Sequence, residues 1–156
     1  MAGDRADVPT TAAMVGRFAL VYAALALLVG VVFWALDRWL GEAPGGGAMG
    51  ALVPMLAAMT TAQLYVTRVG EAPDPGTIWR WTALFWLVTM AVSCILAALA
   101  YAGGALDGQI AELRAAPSGL AIFGAALAAT VGVLFLLIRV GIGMGLRQGM
   151  RAAGRR

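Results

Sequence analysis

Four stretches without a charged residue, 18–36, 43–67, 81–106 and 115–138, take up more than half of the chain. A helix needs about 20 apolar residues to cross a hydrocarbon core about 30 Å thick, and each stretch is long enough. The spacing predicts an all-α integral membrane protein, a four-helix transmembrane bundle with spans at about 17–38, 48–67, 78–102 and 118–140. A polar segment, 1–16, precedes this four-span domain of 17–143, and a basic tail, 144–156, follows it.

Composition points to the same solvent. Hydrophobic residues make up 62 % and charged ones 12 %, against roughly 45–50 % and 25 % in a soluble domain. The net charge of +3 fits basic span ends facing the anionic inner leaflet. No basic cluster interleaved with aromatics lies on a polar domain, so nucleic acid is set aside as a partner and membrane lipids are expected. The first apolar run exceeds the roughly 7–15 residues of a signal-peptide core and reads as a retained span.

With four spans, one side receives the N-terminus, the 67–80 connection and the C-terminus. Its arginines are Arg5, Arg17, Arg68, Arg80, Arg139, Arg147, Arg151, Arg155 and Arg156; the other side holds Arg38 and Arg114. Basic residues near span ends set orientation, so both termini are expected in the cytoplasm and the chain in a bacterial inner membrane. Trp39 and Tyr101 at one set of ends, and Tyr65, Trp79 and Trp81 at the other, suit the amphipathic interface belts.

Span 2 is the most polar. Pro54 predicts a kink, since it removes a backbone donor and clashes with the preceding turn. Thr60, Thr61 and Gln63, with Thr89, Ser93 and Thr130 on later spans, form a candidate interhelical polar cluster, and Ser93 is placed to bond back to the carbonyl of Thr89. The short link after span 1 makes spans 1 and 2 neighbours. Gly70 is a stop for span 2, Asp74-Pro75 a cap and start for span 3, Gly103-Gly104 its end, and Ser118 a cap for span 4. Ile110 and Leu113 admit a short interfacial helix between spans 3 and 4.

Gly124, Ala128 and Gly132, and then Gly141, Gly145 and Gly149, recur every four residues as a candidate packing face. Arg139, Arg147, Arg151 and Arg155 form a second stripe roughly 200° away, suited to lipid phosphates. The tail is thus either a continuation of span 4 or a glycine-weakened, frayed end.

The chain has no His and one Cys, Cys94. That removes His-ligated haem, the usual zinc sites, His acid–base catalysis and Cys-pair redox chemistry. Cys94 reads as a small hydrophobe. No nucleophile elbow, phosphate loop or dinucleotide fingerprint occurs, so no catalytic residue, metal or cofactor is expected. The four runs also lack the intramembrane carboxylate of a proton relay. The small four-helix multidrug exporters, similar in size and span count, carry one in their first span, and none lies between Arg17 and Asp37.

In span 2, Pro54-Met55-Leu56-Ala57-Ala58-Met59, Gln63, Val66-Thr67-Arg68 and Gly70-Glu71-Ala72-Pro73 resemble a family of small bacterial inner-membrane proteins with four spans and no assigned activity. The resemblance is clearest over 48–90. It implies the same topology and supplies no catalytic or binding residue.

The function expected from these features is non-enzymatic: a multi-pass membrane protein acting through helix packing, as a homo-oligomer or an accessory subunit of a membrane complex. The alternative is a small channel or facilitator for a neutral solute or lipid, lined by Gln63, Thr60 and Thr61.

Overall fold

The computed structural model describes residues 9–40, 47–104, 107–115 and 118–154. Among them are five helices and no strand: α1 (Thr11–Leu40), α2 (Gly47–Val69), α3 (Pro75–Ala102), α4 (Asp107–Ala115) and α5 (Gly119–Ala153). Four of them, all but α4, are long and apolar enough to cross a membrane, so the chain is a membrane-type helical bundle.

Local chemistry sets most of the boundaries. Gly70 stops α2 with a left-handed φ of 80° and an N–H bonded to the Val66 carbonyl at 2.8 Å, a conformation that costs glycine nothing. Asp74 caps α3: its Oδ2 accepts from the Thr77 N–H at 2.8 Å and its Oδ1 from the Thr77 hydroxyl at 2.7 Å, with Pro75 pre-set for the first helical position. Those bonds, the Thr77 hydroxyl first and the Thr77 amide second, hold the Asp74 carboxyl below the usual carboxylate range. Gly103 and Gly104 end α3. Ser118 occupies the N-cap position of α5 as expected, its carbonyl accepting from the Ile122 N–H at 3.0 Å, but its side chain makes no capping bond among the described residues.

The helices outrun the expected spans. α1 begins at Thr11, where the Thr10 hydroxyl accepts from the Ala13 N–H. α5 does not stop near residue 140 but continues to Ala153, which resolves the tail as a continuation. The short helix expected between spans 3 and 4 is α4.

α1 lies against α2 and α3, and α5 against the same two helices, with α2–α5 the most intimate pair. The ring order is therefore α1–α2–α5–α3. Spans 1 and 2 are neighbours as expected, yet the tightest contact joins spans 2 and 4. Thr11, Tyr65 and Trp81 line one cavity, and Gly149 meets Val66. The start of α1, the end of α2, the start of α3 and the end of α5 thus share one end of the bundle, here the closed end.

Buried residues concentrate there. They include Met14, Phe18 and Tyr22 of α1, Val53 to Val66 of α2, Trp81, Phe85 and Thr89 of α3, and Leu134 to Leu146 of α5. Toward the other, open end, Leu27, Leu28 and Trp34 of α1, Ile95 and Leu99 of α3, and Ile122, Phe123 and Leu127 of α5 are exposed. α2 is the central strut: 44 % of an 18-residue apolar stretch in it is buried, against 6 % of such a stretch in α1 and 11 % in each of α3 and α5. Its polarity follows from that position. A helix packed between α1 and α5 can afford threonines and a proline where lipid-facing helices carry Leu and Val.

Candidate functional site

The interface between α2 and α5 is built on glycine. A Cβ at Gly141 would run into the Met55 carbonyl group, one at Gly145 into the Met59 carbonyl and the Ala62 methyl, and one at Gly149 into Val66, 2.8 Å from its Cβ. Contacts that advance together along both helices mean that they run parallel. Ala57, Ala58, Thr61 and Ala62 present a matching small face, all fully buried. In hydrocarbon no hydrophobic force pulls two helices together, so close backbone approach and dispersion must hold them.

The other half of the expected packing face behaves differently. Gly124, Ala128 and Gly132 are exposed, and nothing lies within 4 Å of a Cβ added at Gly124 or Gly132. Among the described residues a Cβ at Gly124 or Gly132 meets no neighbour, which corrects that part of the expectation. Gly132 and Gly141 are nine residues apart, about half a turn around a helix, so the upper stripe points away from the side of α5 that meets α2.

The expected interhelical polar cluster does not assemble. Thr60 donates to the Leu56 carbonyl at 2.9 Å, Thr61 to Ala57 at 2.8 Å, Thr89 to Phe85 at 2.9 Å and Thr130 to Ala126 at 2.8 Å. Each hydroxyl is spent one turn back on its own helix, where a carbonyl always lies within reach. Ser93 is exposed and makes no bond to Thr89 among the described residues; Gln63 is half-buried, its backbone carbonyl 3.2 Å from where a Gly149 Cβ would be. The hydroxyl protons are thus engaged within their own helices and not between helices. Thr61→Val should shift stability by less than about 0.6 kcal/mol, the average for a hydrogen bond in a membrane bundle; reversible unfolding in detergent checks it.

Sequence reasoning overlooked Trp86. Its indole N–H donates to the Val131 carbonyl of α5 at 3.2 Å, the single interhelical hydrogen bond among the described residues. Phe135 meets the Trp86 ring edge-on at 6.2 Å and lies at 6.2 Å from Trp79. The Arg139 guanidinium sits 4.7 Å from the centre of the Trp79 ring, a cation–π contact. This ladder joins α3 to α5 and turns Arg139 toward an aromatic face, whereas Arg147 and Arg151 are exposed. Arg155 lies outside the described residues. A tryptophan two helical turns from another, Trp86 after Trp79, would have been the available signal.

Two of the expected interface aromatics sit at the expected span ends but turn inward. Tyr65 and Trp81 are buried and meet edge-to-face at 4.9 Å, while Trp39, Trp79 and Tyr101 are exposed as expected. Cys94 is exposed on α3. α2 is continuous through the buried Pro54. The carbonyl four residues earlier, that of Gly50, loses its usual partner. Gly50 lines a cavity of about 320 Å³ between α1, α2 and α3.

Comparison with protein-family models, with curated proteins and with solved structures found no match to this chain.

Proposed function

We propose that the chain is a non-enzymatic multi-pass protein of a bacterial inner membrane, with both termini cytoplasmic, that works through helix packing as an oligomer or as an accessory subunit of a membrane complex. One observation carries this reading: α5 has two small-residue faces half a turn apart, and the protomer uses only one. The Gly141–Gly149 face is closed against α2. The Gly124–Gly132 face stands open on a length of helix where Ala121 to Val133 has no buried residue. Exposed leucines cost nothing in lipid, but a small face gains dispersion contact only when another helix approaches closely. Its location at the open end, where α1 and α3 also leave their apolar flanks exposed, provides room for a further helix.

The test is assembly in native-membrane nanodiscs. The wild type is expected to run larger than one protomer. Ala128→Leu, which raises a bulky side chain in the middle of the open stripe and far from the α2 contact, should release single protomers of unchanged melting temperature. A wild type that is strictly monomeric and free of partners overturns the proposal.

A further inference from the structure

The cavity of about 320 Å³ between α1, α2 and α3 has Tyr22, Val29, Phe33, Gly50, Ser93 and Leu96 in its wall. All six fall in charge-free runs of the sequence, which places the cavity at hydrocarbon depth. We propose that it binds an apolar molecule with a hydroxyl head, the chemistry of a long-chain alcohol. Three unpaired hydrogen-bonding groups define the head. Thr60, Thr61, Thr82, Thr89 and Thr130 each give their hydroxyl proton to the carbonyl one turn back. Tyr22 and Ser93 give theirs to nothing among the described residues, and both line this cavity. Tyr22 is only 7 % exposed. The one side-chain polar atom sealed without a partner among the described residues is the Trp81 indole nitrogen, so the Tyr22 oxygen keeps contact with open space, and the space that Tyr22 borders is the cavity. The third group is the Gly50 carbonyl, which Pro54 deprives of its usual amide partner.

In hydrocarbon no bulk water repairs such losses, so a ligand that does repair them gains from each. Tyr22 and Ser93 each bring a proton and need an acceptor, while the Gly50 carbonyl needs a donor. A hydroxyl is the smallest neutral group that is both. None of the described lining residues is charged, and a charge at this depth is costly, so ionic headgroups are disfavoured. Val29, Phe33 and Leu96 suit an alkyl chain, and the volume lies within the roughly 300–1,000 Å³ of small-molecule sites.

The test uses full-length protein in phosphatidylcholine nanodiscs, whose lipid has no hydroxyl, and a hexadecanol probe carrying a diazirine on its chain. Photolabelling should saturate with probe concentration and fall on the α1 and α3 segments that line the cavity. Hexadecanol should compete and hexadecane should not; hexadecyl methyl ether, an acceptor without a donor, should compete less well than the alcohol. Tyr22→Phe keeps the ring that stacks on Phe18 and drops the hydroxyl. This variant and Ser93→Ala should each raise the competing concentration of hexadecanol about two- to tenfold, the range for one hydrogen bond. Neither hydroxyl has a partner in the fold, so both variants should melt like the wild type without probe. Labelling that rises with probe without saturating, competition by hexadecane equal to that by hexadecanol, or an unchanged affinity when Tyr22→Phe and Ser93→Ala are combined overturns the proposal.

Discussion

Gly145→Ala is expected to destabilise the protein by roughly 1–3 kcal/mol, the usual cost of overpacking a tight contact. The added methyl would meet the Met59 carbonyl oxygen, with the Met59 carbonyl carbon at 2.9 Å and the Ala62 Cβ at 3.0 Å. Two of these are backbone atoms, which cannot rotate away, so the helices themselves must separate. A gap of only about 0.5–1 Å forfeits a quarter to a half of the dispersion energy across it. Nothing in hydrocarbon replaces that energy, because lipid tails exert no hydrophobic pressure on the pair. Alanine's better helix propensity returns at most about 1 kcal/mol, so the net sign stays unfavourable. Gly132→Ala is the control on the same helix. It meets nothing within 4 Å and should be neutral or stabilising by up to about 1 kcal/mol. Reversible unfolding in a detergent that holds single protomers reads both. Equal stabilities for the two variants would show that the α2–α5 contact is not what holds α5 in place.

The glycine result also shows how far the chain could be read without coordinates. The spans were legible because hydrocarbon imposes a length and a composition that no soluble helix needs. Asp74-Pro75 and Gly70 were legible because each solves a local backbone problem within three or four residues. The course of α5 beyond residue 140 was not. Three glycines weaken a helix in isolation, and only the facing Met55, Met59, Ala62 and Val66 make them an asset; that partner is some 80 residues away in sequence. The threonines were misread for a related reason. A polar side chain in an apolar span invites an interhelical partner, but the carbonyl one turn back is always closer, as Thr60, Thr61 and Thr89 show. Tyr65 and Trp81 illustrate a third limit. An aromatic near a span end satisfies the interface rule whichever way it faces, and only helix packing decides that these two turn inward while Trp79 and Trp39 turn out.

Phe85→Ala should cost about 2 kcal/mol, below the 3–5 kcal/mol typical of Phe→Ala in a soluble core. The reduction follows from the solvent. When the helices part, the Phe85 ring passes from protein to lipid rather than to water, so most of the transfer energy disappears. What remains is packing. Phe85 is fully buried and stacks on Phe18 with 4.1 Å between ring centres and 4° between planes; Phe18 in turn lies parallel to Tyr22 at 5.9 Å. Removing the ring deletes an aromatic pair, worth roughly 0.5–1.5 kcal/mol, and leaves a cavity where α1 and α3 meet. Phe85→Leu should recover about half of the loss, since it refills volume without restoring the stack. Phe123→Ala, on the open half of α5 where the ring is 50 % exposed, removes the same atoms and should cost less than about 0.5 kcal/mol. If Phe85→Ala and Phe123→Ala prove equally costly in reversible unfolding, burial at the closed end is not what stabilises the bundle.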